Sequence, residues 1–377
     1  MLPAPSVHPR DDRCPGVLRL TPAADGGLAR VRLPGGLLTG AQLRVLAGSA
    51  SDLGDGRVEL TSRGNVQLRS LTDAAAAVLE DRLAAAGLLP STTHDRVRNV
   101  IASPLAGIAG GHDLTDLVRA LDVALCERPA LAELSGRFLF ALDDGRGDVA
   151  CLDADVVAVV RPGRAWVNRM PVERSGVVDL AIAVAEAFLA ERAAQHSDAW
   201  RIADLSGGDD RIRARLGRTA EQACRGMRPD DPVGEIAQDG GGCAVAALAP
   251  LGRLTADQLD VLAELAGPRG VRVTPWRSVV VPDVVDGAVD VLAQAGFGVD
   301  TASRWLGVTA CAGRPGCAKS LADVQADAAR DADRWPGLRV HWSGCARQCG
   351  RPVGTDVDVV ATENGYVVKK GNEVSGA

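Results

Sequence analysis

A chain that carries one pattern twice has few ways to fold, and this one does so in two places. The segment L-A-R-V-R-L-P-G-G-L-L-T-G-A-Q-L at 28–43 matches C-A-V-A-A-L-A-P-L-G-R-L-T-A-D-Q-L at 243–259. Pro34, Gly36, Thr39 and Gln42 stand 216 positions before Pro250, Gly252, Thr255 and Gln258. Each copy continues with an apolar helical pattern and a strand pattern, G-R-V-E-L-T-S-R-G-N-V-Q-L in the first and G-V-R-V-T-P-W-R-S-V-V-V in the second. A further helix is predicted around 73–86 and 283–295. A second unit also recurs: N-V-I-A-S-P-L-A-G-I-A-G-G-H at 99–112 resembles G-V-T-A-C-A-G-R-P-G-C-A-K-S at 307–320, with Ser103 where the later copy has Cys311. The order A, B, A′, B′ predicts an α+β protein with pseudo-twofold symmetry and one functional cleft between its halves. The boundaries expected are 14–90 for A, 91–205 for B, a glycine- and aspartate-rich linker at 206–241, 242–300 for A′ and 301–377 for B′. In B′, Asn364-Gly365 between two valine-rich runs signals a two-residue hairpin turn.

Only B′ holds a cysteine set with metal-ligand character. Cys311 and Cys317 form C-x5-C, and Cys345 and Cys349 form C-x3-C. Soft thiolates select zinc, copper(I) or iron-sulfur clusters, and structural zinc prefers pairs two to four residues apart. A cubane cluster accepts wider and less regular spacings. Gly313, Pro315 and Gly316, with Gly344 and Gly350, give loops able to turn backbone N–H groups inward. Cys14, Cys126, Cys151, Cys224 and Cys243 read as plain thiols.

T-A-C-x5-C with S-G-C-x3-C-x-R-P resembles the cluster signature of the sirohaem-dependent sulfite and nitrite reductase family. The resemblance runs from about residue 14 to the end. It implies a fold in which two ferredoxin-like half units pair into one domain over two further α+β domains. It also implies a [4Fe-4S] cluster on Cys311, Cys317, Cys345 and Cys349, with Cys349 nearest a tetrapyrrole. T-S-R-x-x-x-Q resembles the family motif that supplies an arginine to the active site, which gives Arg63 with Gln67. D-R-V-R-N resembles the site of a second, Arg98. Arg63 and Arg98 are then the expected catalytic pair, and Arg63, Gln67, Arg98 and Arg137 the expected tetrapyrrole contacts. Guanidinium forks suit the carboxylates on such a ring. For an isolated strand, a solvated polar face is the favoured reading of 58–69; there alternation puts Val58, Leu60, Val66 and Leu68 on one side and Glu59, Thr61, Arg63, Asn65, Gln67 and Arg69 on the other.

One departure narrows the expectation. The family's proton-donating lysine pair falls on Arg137 and Leu139, and multi-electron reduction of nitrite or sulfite needs protons delivered. The chain is also short for a sulfite reductase. Both features resemble the precorrin-3B synthase branch, which the resemblance describes as a monooxygenase converting precorrin-3A, O2 and reductant to precorrin-3B in aerobic cobalamin synthesis. It implies a precorrin-type substrate, an external donor (an NADH-dependent reductase or a ferredoxin) and a mononuclear non-haem iron. Of His8, His94, His112, His196 and His341, His94 is the favoured ligand for that iron. The alternatives are a compact sirohaem reductase, and a cluster carrier or four-cysteine zinc protein without catalysis.

A net charge of −6 disfavours a nucleic-acid partner. No run of apolar residues reaches membrane-span length, and the first residues lack the apolar core of a signal peptide, so a cytoplasmic protein is expected. G-x-G-x-x-G is absent, and no lysine follows the glycine run at 240–242, so no nucleotide site is expected.

Overall fold

The computed structural model describes Asp12, residues 14–221 and residues 232–370. His8 and Cys224 lie outside the described residues. In A, strands β1 (Thr21–Ala23), β2 (Gly26–Val31) and β3 (Leu37–Leu38) lead to helix α1 (Gly40–Leu53), then to β4 (Arg57–Leu60), β5 (Val66–Leu71) and α2 (Asp73–Ala85). B contains β6 (Val100–Ala102), α3 (Thr115–Cys126), β7 (Phe140–Asp143), β8 (Val156–Arg161), β9 (Arg164–Val167), β10 (Met170–Val172), α4 (Val177–Ala194) and α5 (Gly208–Arg215). A′ repeats A with β11 (Gly234–Ala237), β12 (Cys243–Leu248), β13 (Arg253–Thr255), α6 (Ala256–Leu265), β14 (Val271–Val273), β15 (Ser278–Val284) and α7 (Ala288–Gln294). B′ closes the chain with β16 (Val308–Ala310), α8 (Val324–Arg330), β17 (Val340–Ser343), β18 (Val357–Thr362) and β19 (Gly365–Lys370).

The repeated threonine and glutamine are local devices that start one helix and tie it to the end of another. Thr39 accepts a hydrogen bond from Gln42 N, and the Gln42 side chain accepts one from Thr39 N. Thr255 and Gln258 do the same for α6. Both are capping boxes, satisfying two helix-end donors each. The same glutamines then donate to Ala86 O and Ala295 O, just past α2 and α7.

The half units interlock. One sheet runs β1-β2-β5-β4-β13 and the other β11-β12-β15-β14-β3, so each half lends a short strand to its mate. Leu254 pairs with Val58, and Leu37 with Arg272. A single core joins Leu43, Leu46, Leu68 and Leu79 to Leu254, Leu262, Val279 and Leu292, which makes the two halves one domain. B and B′ each carry a sheet with two parallel pairings followed by an antiparallel hairpin: β6, β7, β8, β9 in one and β16, β17, β18, β19 in the other. Ser103 N donates to Leu142 O just as Cys311 N donates to Trp342 O, so the two residues occupy the same place in their copies.

Three local expectations change. Residues 58–69 are two strands with a turn at 61–65, and this breaks the period-two rule at Asn65. Val58, Leu60, Val66 and Leu68 do face the core, but Asn65 also points inward, accepting from Leu33 N and donating to Asn99 Oδ1. The stretch expected as linker is partly regular: α5 packs on α4, and β11 pairs with β12 as an edge of the A′ sheet. In the last hairpin Thr362 pairs with Gly365, so the connecting residues are Glu363 and Asn364. Among the described residues no helix is long and apolar enough to cross a membrane.

Candidate functional site

The later copy of the B unit places Cys311 and Cys345 just beyond the ends of β16 and β17. Cys311 Sγ accepts a hydrogen bond from Gly344 N at 3.2 Å, which brings the loop bearing Cys345 onto the first pair. Cys317 N donates to Gly313 O at 2.8 Å, closing the C-x5-C loop. Burial pushes the Cys311 thiol up, the amides of Gly344 and Gly313 oppose this, and neighbouring Cys317 and Cys349 add to the rise. All four are free cysteines, with Cys349 exposed and the others half-buried. Cys311, with Cys317 and Cys349 as its neighbours and the amides of Gly344 and Gly313 turned toward its sulfur, belongs to a thiol set whose chemistry suits a cubane cluster.

The earlier copy shows what fills the same loop without cysteines. There Ser103 Oγ accepts from Asp144 N, the counterpart of the contact between Cys311 and Gly344. Asp143 takes up the loop amides, accepting from Gly145, Gly147, Val149 and Ala150 N at 2.8 to 3.2 Å. The corresponding position on β17 is Ser343, a smaller side chain whose buried hydroxyl has no hydrogen-bond partner. A buried hydroxyl is seldom left unpaired. The B′ loop therefore carries an unpaired hydroxyl and a glycine amide bonded to sulfur where a carboxylate closes the B loop, a polar setting whose chemistry fits a sulfur-rich guest.

Asp143, Asp144 and Asp148 are, among the described residues, a carboxylate group close enough to share one metal ion. They are already engaged: Arg146 forks onto Asp144 and Ser103 donates to Asp148. Burial first, then the charges of Asp143 and Asp144, push the Asp148 carboxyl up to about 6 against the Ser103 hydrogen bond. A raised carboxyl favours the protonated fold, so its contribution is complete below the ordinary range near 4 and is lost as pH climbs through 6. Asp148→Asn stays neutral and keeps an acceptor. It is expected to gain about 1.4 kcal/mol over the parent chain between pH 5 and pH 8, read from urea midpoints at both pH values.

Facing the cysteine loops is the outer side of the A sheet. Arg30 donates to Gln67 Oε1, Gln67 Nε2 donates to Glu59, and Arg253 pairs with Glu59 at 2.8 Å. Arg69 crosses to B′, donating to Gly316 O at 2.7 Å while paired with Asp25. On the equivalent face of A′, Ala244, Ala246 and Val280 pack on Ile108 of B, while buried Arg272, paired across the strands with Val280, donates to Pro104 O and Ala106 O. One of the two pseudo-equivalent interfaces is thus closed by small apolar side chains and arginine-to-carbonyl bonds, and the other carries paired charges beside the C-x5-C loop.

Arg63 sits in the turn between β4 and β5 and donates to Gly136 O. Burial lowers its pKa, Arg201 and Arg137 add like charge, and Cys14 and Asp155 oppose them. Arg63, Arg137 and Arg201 therefore share one electrostatic environment. The Arg137 guanidinium lies 4.6 Å from the centre of the Trp200 ring. Leu139 is buried with Ile101, Ala141 and Val149.

Two expectations are corrected. Arg98, expected to face the pocket, is buried in a bidentate pair with Asp122 of α3 and also donates to Leu88 O. Its preceding neighbour Val97 and following neighbour Asn99 are buried too, so the whole V-R-N segment is core and the charge must be paired within it. His94, expected as an iron ligand, bonds Arg128 O through Nε2 and the Ser91 and Thr93 hydroxyls through Nδ1, leaving neither nitrogen for a metal. The mononuclear iron therefore loses its favoured ligand. His341 is the histidine near the thiols: its Nε2 bonds Cys349 O and its Nδ1 Thr309 Oγ1, and burial, with Arg277 nearby, lowers its pKa to about 4. Arg30, Arg201 and Arg277 border this region and escaped the sequence reading. A cavity of about 630 Å³ in B shares Arg201 and Asp155 with it, but neither a cysteine nor Arg63 lines that cavity, so it does not mark the place where these groups meet.

Residues 21–86 and 236–295 match the nitrite/sulfite reductase ferredoxin-like half domain. The chain is 27% identical over 407 residues to the ferredoxin–nitrite reductase of Synechococcus elongatus, spanning 93% of this chain and 78% of that one. It is 27% identical over 391 residues to a precorrin-3B synthase of a Sinorhizobium species, spanning 95% and 82%. The structure of the Mycobacterium tuberculosis NirA protein superposes with a TM-score of 0.73 at 21% identity, covering 91% of this chain and 73% of that one, which shows the shared fold.

Proposed function

We propose that this nitrite/sulfite reductase-like oxidoreductase is a precorrin-3B synthase-type monooxygenase. In this reading Cys311, Cys317, Cys345 and Cys349 hold a [4Fe-4S] cluster, and Arg30, Arg63, Gln67 and Arg137 bind a polycarboxylate tetrapyrrole in the cleft before it. The cluster, when bound, supplies electrons one at a time. Arg30 and Arg63 offer guanidinium groups to carboxylates on the ring edge, and Gln67 holds the Arg30 fork against the sheet. His341, neutral, donates Nε2–H to Cys349 O and steadies the loop nearest the ring. The balance is precorrin-3A, O2, two electrons and two protons giving precorrin-3B and water: one oxygen atom enters the macrocycle and the other leaves as water. The electrons come from an external donor, and a ferredoxin is supported by the ferredoxin-dependent relatives.

The observation that carries this reading is the pair at 137 and 139. Where the resemblance places proton-donating lysines, Arg137 is stacked on Trp200 and Leu139 is 5% exposed in an apolar cluster. An arginine stays protonated and a leucine has no proton to give. Such a cleft can grip an anion but is poorly equipped to feed protons to one. A sirohaem nitrite or sulfite reductase is the second reading, favoured by the several ferredoxin–nitrite reductases among the relatives. Anaerobic reconstitution of the cluster, followed by precorrin-3A and a reductant with and without O2, separates them. The first reading expects an oxygen-dependent mass gain of one oxygen atom. Unchanged precorrin together with steady nitrite or sulfite consumption and sirohaem absorbance would select the second.

A further inference from the structure

Arg277 occupies the second copy's version of the turn that presents Arg63. Thr274 Oγ1 accepts from Trp276 N and Ser278 N, as Thr61 Oγ1 accepts from Arg63 N and Asn65 N. Position 277 is therefore the counterpart of Gly64, and both are left-handed, with φ 62 at Arg277 and 63 at Gly64. Glycine adopts this conformation freely, whereas a residue with a side chain is strained there. The arginine chain runs across Gly252, where a Cβ would lie 2.8 Å from Arg277 Cδ, so only a glycine leaves room beneath it. Its tip reaches B′: Arg277 Nη2 is 3.4 Å from the place a Cβ would take on Gly350, the residue after Cys349.

The guanidinium is half-buried and, among the described residues, forms no ion pair. Burial lowers its pKa and Glu59 opposes this, but the Glu59 carboxylate is already taken by Arg253 and Gln67. A partly desolvated fork beside the exposed Cys349, held in a strained turn and lacking a carboxylate, has the properties of a receptor for one. We propose that Arg277 is a carboxylate-binding residue of the cleft that grips an acetate or propionate group of the macrocycle at its cluster-side edge. This rests on the tetrapyrrole reading above and adds to it a contact from A′.

The test is a fluorescence-quenching titration of the full chain with uroporphyrin III, an eight-carboxylate ring, alongside thermal melts. Arg277→Asn and Arg277→Gly both suit a left-handed turn, so each is expected to melt at or above the parent temperature while binding uroporphyrin about tenfold more weakly. Arg277→Lys is expected to fall between them and the parent, because it keeps charge but loses the fork. Parent-like affinity in the Asn and Gly variants, within twofold, would overturn the assignment while leaving the tetrapyrrole reading intact. A parent chain that fails to bind uroporphyrin would remove that reading, and Arg277's role with it. Weaker binding only in step with a lowered melting temperature would make Arg277 structural.

Discussion

Cys349→Ser is expected to cut turnover of the reconstituted protein by at least about a hundredfold, because in the proposed arrangement it removes a cluster ligand and the group nearest the ring. Cys349 is exposed while the other three thiols are half-buried, so the substitution touches little of the core and the apo chain should melt normally. Iron and acid-labile sulfide measured after anaerobic reconstitution check the cause: both should fall well below the parent level in parallel with the visible absorbance. Cys151→Ser, an exposed thiol in B, is the control and should retain the parent iron content. Parent-level cluster in Cys349→Ser would remove Cys349 from the ligand set.

The second large effect lies away from the thiols. Arg98→Met should destabilise the fold by about 3 kcal/mol, read from urea midpoints, since it strands Asp122 beside a buried site. The Arg98 side chain is 4% exposed and Asp122 18%, which keeps the loss below that of a fully enclosed pair. Arg98→Met with Asp122→Leu should recover most of it. Uroporphyrin affinity of the folded Arg98→Met protein should stay within twofold of the parent. A loss of binding at unchanged stability would return Arg98 to the cleft.

Much of this architecture is legible in the chain because its signals are local or duplicated. Thr39 with Gln42 and Thr255 with Gln258 mark two helix starts by capping chemistry, and the cysteine spacing marks the loops of B′. Alternation identified the core side of β4 and β5 but failed at Asn65, where the turn reverses the chain and sends the amide inward to Leu33 and Asn99. Arg98 was misplaced because a motif carries position along the chain and says nothing about a partner on α3, which here is Asp122. Arg277 was hidden for the opposite reason: nothing in T-P-W-R-S stands out until its turn is superposed on T-S-R-G-N and an arginine is found at the place of Gly64. The pairing of Ser103 with Cys311 is legible in the sequence, but that Asp143 fills the B loop is not, because nothing in D-D-G-R-G-D shows one carboxylate collecting four loop amides.

Native mass spectrometry of the anaerobically reconstituted chain, titrated with uroporphyrin III, tests the arrangement most directly. One four-iron, four-sulfide cluster and one macrocycle should appear together on a single chain, with Cys349→Ser losing the cluster and Arg63→Gln weakening retention of the ring. Bound zinc in place of iron and sulfide, or a macrocycle held equally well after Arg63 and Arg277 are both replaced, would contradict it.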